Sequence, residues 1–91
     1  MLRITINEND GAIGMTLEGR VAGAWLAELN RAWMETKPRL GTKKLSIDLY
    51  NVTYTDAAGK QMLREIYAQS GAELITGTLW AQYLADEIKK N

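Results

Sequence analysis

The stretch Leu45–Gly59 reads LSIDLYNVTYTDAAG, and its reading decides the fold. Leu45, Ile47 and Leu49 alternate with Ser46, Asp48 and Tyr50, the period-two pattern of a strand with one buried face. Asp56 then stands where a helix N-cap belongs, because its carboxylate can accept from the unpaired amides of a first helical turn. Beyond it Ala58, Met62, Leu63, Ile66 and Tyr67 form a helical apolar stripe, with Lys60, Gln61, Arg64, Glu65 and Ala68 on the wet side. Gly71 occupies the position of a C-terminal glycine cap. A strand that hands the chain directly to a helix predicts an α/β layer structure.

On the N-terminal side, Leu2, Ile4 and Ile6 alternate with Arg3 and Thr5. Asn7 to Gly11 supply residues that tolerate tight or left-handed backbone, and Ile13, Met15 and Leu17 resume the alternation, so the first two strands are expected to pair as a hairpin. Ala22, Trp25, Leu26, Leu29, Ala32 and Trp33 then fall on one face of a helix. That helix is expected to end before Pro38, which biases Lys37 toward extended geometry. A basic loop of Lys37, Arg39, Lys43 and Lys44 follows and is read as solvated. On the C-terminal side, Ala72–Thr76 reads as a short strand. Gly77 and Thr78 introduce a last helix with Trp80, Ala81, Leu84, Ala85 and Ile88 on one side and Lys89 and Lys90 at its negative end. The fold class is therefore α/β, one domain over residues 1–91 in the order ββαβαβα. Crossover helices imply parallel neighbours and the hairpin an antiparallel pair, so the β-sheet is mixed, with helices mainly on one face.

Composition narrows the function. A chain of 91 residues buries only about 60 to 70% of its unfolded surface, so the core is small. Eleven basic residues balance eleven acidic ones, and without net positive charge nucleic acid is not an expected partner. The chain has no cysteine and no histidine, which removes thiolate chemistry, disulfides and the usual neutral-pH acid and base. No enzyme activity, no cofactor and no metal are expected. Asp48 and Asp56 are read as structural caps instead of a catalytic or metal-binding pair, for lack of a third acid or a glycine-rich phosphate cradle. No apolar run approaches the roughly 20 residues that cross a bilayer, and Met1–Asp10 lacks a basic segment followed by an apolar one. The expectation is a cytoplasmic protein without membrane insertion. The three tryptophans are assigned to the core, with Trp33 and Trp80, near element ends, as the candidates for exposed interface anchors.

The segment 45–59 resembles the signature of the STAS family, the anti-sigma-factor antagonists. There a buried strand ends in Asp-Leu, a Val follows three residues later, and an Asp-Ser-Ser/Thr-Gly motif opens the next helix. Asp48, Leu49, Val52, Asp56 and Gly59 match without a gap. Leu17–Arg20 is similar to the family's approach to its first helix, and Gly71–Ile75 to its strand after the second, so the likeness spans roughly Leu2 to Leu84. The resemblance implies a bacterial protein-binding module for transcription regulation. Its partner would be an anti-sigma factor kinase that phosphorylates a hydroxyl at the helix N-terminus, where the added charge of about −1.5 to −2 releases the partner.

Here both hydroxyl positions are alanines, Ala57 and Ala58, which have no oxygen to accept a phosphoryl group, so this degenerate site cannot run the switch. Thr55 and Lys60 replace apolar residues of the pattern and Tyr50 a small polar one, which alters the presumed docking face. Lys60, one turn after Asp56, is expected to pair with it. Family members commonly add a further strand and helix after the point where this sequence stops. The partner-binding residues carried over are Tyr54, Thr55, Asp56, Ala57, Ala58, Lys60, Gln61 and Arg64. The alternative within the resemblance is a small accessory subunit of a lipid-trafficking ABC transporter. The alternative from another class is a nucleotide- or phosphate-handling enzyme using Asp56 and Lys60.

Overall fold

A computed structural model describes residues 1–90. Strands β1 (Leu2–Glu8) and β2 (Ala12–Val21) form an antiparallel hairpin. A single 3-10 turn, Gly23–Trp25, leads into α1 (Leu26–Leu40). Then come β3 (Lys44–Thr55), α2 (Ala57–Ser70), β4 (Glu73–Ile75) and α3 (Leu79–Lys89). The four strands lie in the order β1-β2-β3-β4, with β3 parallel to both β2 and β4. The architecture is α/β with a mixed sheet, as the sequence pattern implies.

The hairpin turn is fixed by a side chain. Asn9 Oδ1 accepts from the amides of Gly11 and Ala12 at 3.0 and 2.9 Å, and the Asn9 amide donates to the Ala12 carbonyl. No residue of the turn adopts positive φ, so the tightness comes from this Asn-centred bonding and not from left-handed backbone.

One face of the sheet is apolar and covered. Ile13, Met15 and Leu17 of β2 and Leu45, Ile47 and Leu49 of β3 are buried there. Leu29 and Trp33 of α1, Leu63 and Ile66 of α2 and Ala81, Leu84, Ala85 and Ile88 of α3 belong to the same core. The opposite face carries Thr5, Gly14, Thr16, Glu18, Ser46, Asp48 and Glu73, none of them buried. Among the described residues no helix is long and apolar enough to cross a membrane.

Three expectations need correction. First, α1 continues through Pro38 to Leu40. Proline in the last turn forgoes its own bond to the carbonyl four residues back and crowds that carbonyl, but the group belongs to exposed Met34, where water can satisfy it. In return Thr36 stays buried and Leu40 packs against the core, extending the stripe of Leu29 and Trp33. Lys37 and Arg39 thus belong to the helix, and Arg39 and Lys43 both bond Glu8, holding its carboxyl below the usual range, Lys43 contributing most.

Second, the tryptophans are distributed differently. Trp33 is 4% exposed, whereas Trp25 is 41% exposed because it lies in the 3-10 turn, out of phase with the α1 stripe. Only Trp80, at 37%, has the rim position expected of it.

Third, Ala58 is exposed, and Gly59 takes the buried place beside α2's stripe of Leu63 and Ile66.

The Trp assignment sets an expected outcome. Trp33→Ala costs about 3–5 kcal/mol in urea unfolding, while Trp25→Ala costs about 1 kcal/mol or less, since one vacates the core and the other solvent-facing surface. Equal losses would contradict this placement.

Candidate functional site

The site lies where β2 and β3 end and α2 begins. Reaching it requires β3 to run five residues beyond the alternating segment, to Thr55. Its register against β2 shifts twice, between Thr16 and Glu18 and between Gly19 and Arg20, each time by one extra residue on β3. The residues on the covered side are accordingly Leu45, Ile47, Leu49, then Val52, then Thr55, which pairs with buried Val21. The spacing of three after Leu49 hides this part of the strand from any search for strict alternation.

Asp56 is the joint. It is extended, with φ −92° and ψ −179°, and its carboxylate divides between two elements. Oδ1 accepts from the Gly59 amide at 2.7 Å and caps α2. Oδ2 accepts from the Gly23 amide at 3.0 Å, binding α2 to the turn that leaves β2. Gly59 makes the approach possible, since a Cβ there would lie 1.9 Å from the Val21 carbonyl oxygen. The Gly59 amide above all, then the Gly23 amide, hold the Asp56 carboxyl below its ordinary value, with burial opposing and Arg20 assisting.

Around this joint Ala57 and Ala58 are exposed at the first two positions of α2. Tyr54 is exposed, with the Arg20 guanidinium 4.5 Å from its ring centre, and Thr55 is half-buried. Lys60 does not turn back to Asp56, whose oxygens are taken by backbone amides. Its Nζ lies 3.7 Å from Glu87 Oε1 and 6.0 Å from the Tyr83 ring centre. Arg64 Nε donates to the Glu87 carbonyl at 3.0 Å, so Lys60 and Arg64 both join α2 to α3. Glu87 also receives Lys90 at 3.1 Å, the main cause of its lowered carboxyl value. Gln61 is exposed and reaches Glu65 at 3.5 Å. Of the eight residues carried over from the resemblance, Tyr54, Ala57, Ala58 and Gln61 thus form the open surface, Asp56, Lys60 and Arg64 serve the fold, and Thr55 is half-buried at the end of β3.

Sequence reasoning placed Trp80 at this rim and missed its neighbours Tyr83, Leu79 and Tyr50. Trp80 donates its indole N–H to the Val52 carbonyl at 2.8 Å and stacks beside Tyr83, ring centres 6.0 Å apart. Tyr83, Leu79 and Tyr50 are exposed, and Tyr50 lies against Gly77, where a Cβ would come within 2.6 Å of its ring. The three-residue spacing of Trp80 and Tyr83 was the available signal, but aromatics on an amphipathic helix are ordinarily core. As for chemistry, Asp48 Oδ1 accepts from the Tyr50 amide at 2.9 Å, so each carboxylate of the former pair is engaged with backbone. Among the described residues no group of three or more His, Cys, Asp or Glu side chains gathers to hold a metal. No protein-family model matches the chain, and no curated protein matches it.

Two outcomes follow for the joint. Gly59→Ala forces backbone apart and destabilises by about 1–3 kcal/mol or more in urea unfolding. Asp56→Asn keeps one acceptor but turns an amide toward the Gly23 N–H, so it is less stable than the natural chain at pH 7. The depressed folded pKa means that the carboxylate's contribution is complete above the unfolded value of about 3.9 and disappears as pH falls through the folded value. The stability gap between the two proteins therefore closes below about pH 4, read as the difference of their urea midpoints along a pH series.

Proposed function

We propose that the chain is a protein-interaction module of the STAS type, resembling the anti-sigma-factor antagonists. It docks a partner through the loop before Asp56 and the outer side of α2 with no phospho-gate at that motif. The observation that carries the reading is the presentation of Ala57 and Ala58: two small exposed side chains on a helix start held rigid by the shared Asp56 carboxylate. A partner can approach such a start closely, and the adjoining Tyr54 and Gln61 offer a polar rim. The partner class is a kinase-type anti-sigma factor in the cytoplasm. Holding it constitutively frees the sigma factor, since alanine leaves the kinase nothing to phosphorylate.

The engagement of Asp48 and Asp56 with backbone amides weighs against the nucleotide- or phosphate-handling enzyme, which needs Asp56 free. Thr55, half-buried beside Val21, is also a poor substitute phosphoacceptor.

The test uses affinity capture from the source cell followed by titration of the purified partner. Ala58→Glu mimics the missing phosphate charge in an exposed first turn, where a carboxylate suits the helix dipole, so stability stays within about 1 kcal/mol. Binding weakens tenfold or more. Recovery of a transporter ATPase subunit in place of a kinase-like protein overturns the sigma-factor reading in favour of the lipid-trafficking alternative. Undiminished binding by the glutamate variant overturns the docking site.

A further inference from the structure

We infer that β1 is a self-complementary edge through which two copies of this chain pair antiparallel, joining their sheets into one of eight strands. The four-stranded sheet has β1 at one margin, with no strand on its outer side among the described residues. Which backbone groups face that margin follows from the hairpin. The Arg20 amide donates to the Met1 carbonyl and the Asn9 amide to the Ala12 carbonyl, so the odd-numbered residues of this strand bond β2. The N–H and C=O groups of Leu2, Ile4, Ile6 and Glu8 therefore point outward.

Natural edges are commonly blunted by proline, bulges, short length or charged side chains, lysine above all. β1 has seven residues, no proline or glycine and an unbroken register with β2; of its two charges, Glu8 is held by Arg39 and Lys43, and Arg3 is an arginine on the open face. β4, the other margin, has only three residues. Ile4 and Ile6, packed against the core, remain half-exposed along the β1 margin.

A two-fold axis at Thr5 satisfies all four outward residues at once. Ile4 then exchanges hydrogen bonds with Ile6 of the second copy, and Leu2 with its Glu8. On the opposite face Thr5 meets Thr5, and Arg3 meets Asn7. No charged residue stands opposite a like charge, and the half-exposed isoleucines cover one another, the β-branched pairing that favours adjacent strands. Any strand could meet the outward backbone groups, but the occupant whose side chains match this register is a second copy, which sets isoleucine on isoleucine and Arg3 on Asn7 with no like charges opposed.

The experiment exploits the absence of cysteine. Thr5 lies in a non-hydrogen-bonded pair, where Cα atoms approach to about 4.5 Å, within the span of a disulfide. Thr5→Cys is expected to form a disulfide-linked dimer under mild diamide at least tenfold faster than Lys89→Cys, an exposed control on α3. In sedimentation equilibrium over roughly 10–1,000 µM, the range suited to an interface smaller than ~1,200 Å², the natural chain rises from 10.2 kDa toward twice that mass. Thr5→Lys, which sets two ammonium groups face to face on exposed positions, stays at monomer mass with unchanged circular dichroism. A natural chain that remains monomeric throughout, a Thr5→Cys cross-linking rate equal to the control, or a Thr5→Lys protein that still dimerises would each overturn the proposal.

Discussion

Gly59 and Val21 come so close that no side chain fits between them, and one carboxylate, that of Asp56, holds the contact by taking an amide from each side. The sheet ends, the turn into α1 and the start of α2 all depend on that approach. If Gly59 stood farther off, the carboxylate could not reach both the Gly23 and Gly59 amides, and α2 would lose either its cap or its anchor to the sheet. The buried residues Leu63 and Ile66 follow one and two turns after Gly59, so the placement of α2 over the core is set from this joint. A capping aspartate is ordinarily a local device. Here it is also a tertiary one.

The parts of the fold legible in the sequence are those governed by short-range rules. Alternation at Leu2–Ile6, Ile13–Leu17 and Leu45–Leu49 marked the strands, Asp56 and Gly71 marked the ends of α2, and Thr78 caps α3 through the Ala81 amide. The failures share a cause as well. The local preference of Pro38 ends the helix before it, but burial of Thr36 and packing of Leu40 carry the helix past it. Helical spacing pairs Lys60 with Asp56, but backbone amides take that carboxylate and Lys60 reaches Glu87 on another element. The exposure of Trp25 turned on a short 3-10 turn that shifts its phase relative to α1, which no composition or periodicity reveals. Of the site, the cap, the alanines and the rim position of Trp80 were legible, whereas the stacking of Tyr83 beside Trp80 against the end of β3 exists only once α3 folds back over it.

The surface that results is unusual in its allocation of charge. Lys60, Arg64 and Lys90 converge on Glu87, and Arg20 is drawn over Tyr54, so the cations near the helix start are committed to holding elements together. What remains open is small and uncharged, Ala57 and Ala58, bordered by aromatic rings. Such ground offers close approach and apolar contact to a partner while contributing little long-range attraction of its own.

The two extra residues in β3 add a constraint of a different order. Each reverses the phase of the strand, and two reversals restore it, so the chain reaches Thr55 with the same side facing inward as at Leu45. The site is thus specified by counting as much as by chemistry. Between Leu49 and Asp56 the number of residues cannot change by one without presenting the cap to the wrong side of the sheet, and Val52 must stay apolar to fill the covered side. The strand acts as a measured spacer, and its tally is inherited by the cap and by the helix that starts there.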